Sequence, residues 1–123
     1  MKELLFWLYL VNTLLLILHE IDSAHWKEWK LFHLPGGEAG FLLLHIPLLL
    51  PVLYGLVLLD RSLFAGIILS LLLSLAGLLT FLIHAVFIRR GHSEFKTTVS
   101  LGILCAILLI SLAQLGVTAV MLA

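Results

Sequence analysis

The stretch from Leu63 to Ile88 reads LFAGIILSLLLSLAGLLTFLIHAVFI and carries no Asp, Glu, Lys or Arg. A hydrocarbon core about 30 Å thick is crossed by about 20 residues of helix, and this run exceeds that length. Only helices and closed barrels satisfy their own backbone hydrogen bonds in lipid, so the run reads as a transmembrane helix. Working outward, Asp60-Arg61 forms a tight polar hairpin to a second apolar stretch, about 41–59, interrupted by His45. Downstream, about 99–122 is apolar with Gln114 as its bulkiest polar residue. Upstream, Leu4 to Leu18 is apolar apart from Asn12 and Thr13 and reaches the interface near Ile21. Four antiparallel spans, at about 4–21, 41–59, 63–88 and 99–122, predict an all-α membrane protein. The expected fold is one four-transmembrane-helix bundle over residues 1–123, with the first span the shortest. Lys2 before an apolar run also suits a signal peptide. That run ends in His19-Glu20-Ile21-Asp22 instead of small residues, so it is read as a retained helix.

The composition agrees. The 123 residues are 63% hydrophobic and 11% charged, with a mean hydropathy of +1.23, where soluble domains are about half apolar and about a quarter charged. Seven Lys and Arg balance seven Asp and Glu, so no basic excess points to nucleic acid, and the lipid bilayer is the expected partner. The single cysteine, Cys105, makes an internal disulfide or a cysteine-rich zinc site impossible and is read as a small packing residue. No phosphate loop, dinucleotide fingerprint or nucleophile elbow occurs. His19-Glu20 opens like a zincin motif, but Ser23 stands where the second histidine belongs.

Four spans put both termini and the Asp60-Arg61 turn on one face, with Lys2 and Arg61. The other face has Lys27, Lys30, Arg89, Arg90 and Lys96. The positive-inside rule counts these cations, so the second face is expected to be cytoplasmic and both termini external. The long connection over 20–40 is expected to hold a short interfacial helix from an Asp22 cap to about His33. Its apolar side would be Trp26, Trp29 and Phe32, with Lys27, Glu28 and Lys30 in water. Leu34-Pro35-Gly36-Gly37 would end it and turn the chain back into the membrane.

All six histidines, His19, His25, His33, His45, His84 and His92, fall on that same face. His45 lies about 6 Å below the interface on the second span and His84 about 7 Å below it on the third, while His19 ends the first. In the third span Gly66, Ser70, Ser74 and Gly77 form a small-residue stripe of the kind that lets membrane helices approach closely. His84 stands 18 residues beyond Gly66, about five turns at 3.6 residues each, and so prolongs the stripe into the bundle. Asn12 and Gln114 are expected to hydrogen-bond between helices.

Ionisable residues inside a membrane are costly and mark functional sites by default. Imidazole plus carboxylate is a ligand set for zinc or non-haem iron, and bundles build such sites from facing helices. The expected metal ligands are His19, His45, His84 and Asp22, with Glu20 or Asp22 as the catalytic base. A divalent transition metal, Zn or Fe, is the expected cofactor, and haem held by two histidines is the alternative. Two functions follow: a metalloenzyme acting on a lipidic substrate at the cytoplasmic interface, or an accessory subunit of a membrane complex or homo-oligomer.

The segment from His19-Glu20-Ile21-Asp22-Ser23 through Trp26-Lys27-Glu28-Trp29, Leu34-Pro35-Gly36-Gly37 and His45-Ile46-Pro47 resembles a family of small bacterial integral-membrane proteins of unknown function. It is also distantly similar to the membrane family named for a His-x-x-Glu-Glu motif. On that comparison His19 matches the motif histidine, Asp22 takes the first glutamate position, and Ser23 departs from the second. The resemblance implies a bacterial inner-membrane protein with a polar or metal-binding site, and no named reaction.

Overall fold

A computed structural model describes residues 1–92 and 97–123; Lys96, counted above among the loop cations, lies outside the described residues. The chain forms α1 (Lys2–His25), α2 (Glu28–Leu31), α3 (Gly37–Asp60), α4 (Phe64–Arg89) and α5 (Thr98–Leu122). The four long helices are each long and apolar enough to cross a membrane. They form a bundle in which α1 and α4 each touch both α3 and α5, α1 also meets α4, and α3 and α5 stay apart. The cross-section is therefore a flattened rhombus with α1 and α4 on its short diagonal.

Hydropathy sets the lengths of the helices, and a seven-residue rhythm sets their inward faces. On α5 the buried residues are Ser100, Leu104, Ile107, Ser111, Gln114 and Thr118, spaced four and three alternately. On α4 the expected stripe is buried as a unit, from Gly66 through Ser70, Ser74 and Gly77 to His84. On α1 the rhythm runs through Leu5, Tyr9, Asn12, His19 and Ser23. A period of 3.5 keeps one seam facing its partners and favours shallow left-handed crossings. Small residues let the seams close. A Cβ on Gly77 would overlap Ser111 Oγ, and a Cβ on Gly55 would overlap the Tyr9 hydroxyl, which donates to the Val52 carbonyl at 2.7 Å.

Three expectations are corrected. The first span does not end near Ile21: α1 continues through Asp22 to His25 for 24 residues, equal to α3 and shorter only than α4 and α5. Asp22 therefore caps nothing. Its carboxylate accepts from Trp26 Nε1 at 3.0 Å within the last turn. The interfacial helix shrinks to the single turn α2, which folds over the bundle end and buries Glu28 and Trp29. Trp29 packs on Phe41 of α3 and Phe32 on Phe87 of α4, leaving Lys27 and Lys30 exposed. Cys105 is exposed and not packed inside, because it follows buried Leu104 by one residue and so turns about 100° away from the seam. Thr97 supplies the cap that starts α5, accepting from Ser100 N at 3.1 Å.

Candidate functional site

Folding α2 inward brings a carboxylate to the end of the α1–α4 seam. There His19 and His84 meet edge to face with ring centroids 4.4 Å apart, and Glu28 Oε1 lies 3.5 Å from His84 Nε2. One ligand atom from each of His19, Glu28 and His84 falls within 4.8 Å of the other two, and all three residues are buried. Ser23 Oγ sits 3.4 Å from His19 Nε2. A tetrahedral ion bound at about 2.1 Å wants ligand atoms about 3.4 Å apart, closer than the widest spacing in this group.

The local helix geometry orients His84. Its Nδ1 stands 2.8 Å from the Thr80 carbonyl one turn back. A carbonyl only accepts, so Nδ1 carries the hydrogen. In the neutral ring this leaves the Nε2 lone pair for a ligand, the arrangement by which backbone carbonyls commonly orient metal-binding histidines. Burial acts to raise the pKa of Glu28, but its neighbours His84, Ser23 and His19 outweigh burial and hold it below the ordinary glutamate value.

A second pair stands beside this group, between α1 and α3. His45 Nε2 lies 2.6 Å from Glu20 Oε2, and His45 Nδ1 lies 2.6 Å from the Phe41 carbonyl. Because Nδ1 must donate to that carbonyl, a further proton has to lie between Nε2 and the Glu20 carboxylate. The pair therefore shares one proton.

Of the expected ligands, the structure brings His19 and His84 together and pairs His45 with Glu20, while Asp22 holds Trp26. His25 and His33 are exposed, and the His92 ring rests on Phe87 at 5.3 Å. Glu28 was missed as a member of the group. The signal available for it was indirect: a one-turn segment rich in aromatics between two spans has to lay some of its side chains on the bundle end.

Fold and site together define a multi-pass, all-helical membrane bundle with a buried His–Glu–His group at one end. The chain belongs to a family of unknown function (DUF6713), which matches it over residues 5–121. No curated protein and no solved structure matches it.

Proposed function

We propose that this is a membrane-embedded metal-binding protein in which His19, His84 and Glu28 hold one divalent transition ion, zinc or iron. The observation that carries the reading is the convergence of three buried ligand groups from α1, α2 and α4 within 4.8 Å. Three protein ligands leave a coordination position open, as catalytic zinc sites do. A metal there supplies a water acidified to a pKa of about 7. Around it, Glu20 and His45 accept and pass on a proton, Asp22 fixes Trp26, and the membrane delivers a lipidic substrate, so the protein acts as a metalloenzyme on membrane-dissolved molecules. A single ion is favoured over haem because the 4.4 Å approach of the His19 and His84 rings leaves no space for a macrocycle between them. The end bearing the site also carries Lys27, Lys30, Arg89 and Arg90 against Lys2 and Arg61 at the other. This supports a cytoplasmic site with external termini in a bacterial inner membrane.

Metal analysis of protein purified without chelators tests the reading. The expected result is about one equivalent per chain, lost in His19→Ala and His84→Ala and kept in His45→Ala. A wild-type protein that carries no metal and takes up neither zinc nor iron overturns it.

A further inference from the structure

Helix α3 is packed unevenly. Its buried residues are Phe41, Gly55, Leu58 and Leu59; none of the thirteen residues between Phe41 and Gly55 is fully buried, and α3 touches α1 there through the His45–Glu20 pair and the Val52 carbonyl under Tyr9. Pro47 and Pro51 lie within that stretch. Neither offers a backbone N–H, so the carbonyls of Leu43 and Pro47 lose their helical donors, which loosens the helix there. Beside this stretch lies a cavity of about 170 Å³ between α1, α3 and α4. Leu48 and Ala76, both exposed, flank its opening toward the lipid.

The cavity is more than a gap between apolar helices. Glu20 and His45 line one end, and Thr13 and Thr80 line it deeper in the bundle. Thr13 is 3% exposed, and its hydroxyl has no hydrogen-bond partner among the described residues. A buried hydroxyl left unpaired is destabilising, and a ligand acceptor would satisfy it. Thr13 and Glu20 are seven residues apart on α1, about 10 Å along its axis, so a head group spanning them needs two polar centres. Because Glu20 and His45 share one proton across their 2.6 Å contact, this end of the cavity carries no net charge and offers an anionic head no counter-charge. A cavity of this size accepts about six heavy atoms, the size of a benzene ring or a glycerol unit.

We propose that this cavity is a lateral port for a single-chain lipid with an uncharged head joined through an ester, of the monoacylglycerol type. The hydroxyls of the head meet Glu20 and His45, the ester carbonyl accepts from the Thr13 hydroxyl, and the chain leaves between Leu48 and Ala76 into the bilayer. The port names the substrate class for the reaction proposed above and rests on that reading for the chemistry, whereas the binding is independent of any metal.

The test uses the full chain in phosphatidylcholine nanodiscs with a monoacylglycerol carrying a photoreactive diazirine in its acyl chain. Labelling is expected to concentrate on the α3 and α4 segments around Leu48 and Ala76 and to be displaced by unlabelled monoacylglycerol. A lysophosphatidic acid of the same chain is expected to compete more weakly. Ala76→Trp, which fills the opening, removes the label from these segments. The isosteric Thr13→Val, chosen so that the fold survives, weakens competition about fivefold, as loss of one hydrogen bond should. Label distributed equally onto the exposed face of α5, or unchanged in both variants, overturns the port. Metal content measured on the same samples separates the two readings. A labelled port on a protein that binds no metal removes the metal centre alone, and a metal-loaded protein without displaceable labelling removes the port alone.

Discussion

The bundle contains two buried polar regions, and their chemistry differs as much as their depth. In the middle, Asn12 Nδ2 donates to Gln114 Oε1 at 2.8 Å and to Ser111 Oγ at 3.1 Å. Gln114 Nε2 donates to Ser70 Oγ at 2.9 Å, and Ser70 and Thr118 share a hydrogen bond of 2.9 Å. These side chains are neutral, they saturate one another, and they tie α1, α4 and α5 together. At the end, beyond buried Leu104 and Ile107, the polar groups are two carboxylates and three imidazoles, with histidine nitrogens oriented by backbone carbonyls. Amides and hydroxyls that satisfy one another hold helices together and offer nothing to a ligand. Ionisable groups held in a fixed tautomer at the membrane edge are costly to bury and suit chemistry. The middle holds the helices together, and the end carries the groups on which the proposed metal site rests.

That assignment breaks if the two regions trade consequences. The largest expected effect is on metal binding by Glu28→Gln: a carboxylate ligand is replaced by a weak amide, and affinity should fall by at least about 100-fold, read by competition with a chelating dye. The metal-dependent rise in melting temperature should vanish with it, since an ion stabilises only by binding the folded state. A retained affinity would place the ion elsewhere.

In the middle the order reverses. Gly77→Val sets a branched side chain against Ser111, and overpacking of this kind costs about 1–3 kcal/mol, measured by reversible unfolding in mixed micelles, with metal content per folded chain unchanged. Gln114→Leu strands Asn12 and Ser70 and is expected to cost about 1–2 kcal/mol, the upper range for polar contacts between membrane helices. Loss of metal in either variant, without loss of fold, would merge the two regions into one. The smallest effect is expected for Tyr9→Phe, which removes a single hydrogen bond to a carbonyl also engaged by its own helix. A cost of about 0.5–1 kcal/mol in the same assay would fit, and a drop in metal content would contradict the separation.

Much of this arrangement is legible in the chain. The stripe from Gly66 to His84 announces which side of α4 turns inward, because a helix carries azimuth in its numbering. The stretches around Asn12 and Gln114 show as lone amides in apolar runs, and such amides in lipid have to find one another. The partnership of Glu28 was not legible. It depends on α2, which is bracketed by Lys27 at φ 54° and His33 at φ 53°. Non-glycine residues enter the left-handed region only rarely, and although histidine does so more readily than most, nothing in the Lys27 side chain marks it for that conformation. A reading that ran one amphipathic helix from Asp22 to His33 therefore turned Glu28 outward.

The sequence by itself determined the membrane class, the four spans, the gathering of every histidine at one end and the inward face of α4. These follow from hydropathy and periodicity, both local along the chain. Only the tertiary structure decided that Glu28 and not Asp22 joins His19 and His84, that His45 is drawn to Glu20, and that α1, α3 and α4 enclose a polar-ended cavity. Each of these depends on how separate helices rotate and tilt against one another. Packing sets those angles between segments, and no single segment encodes them.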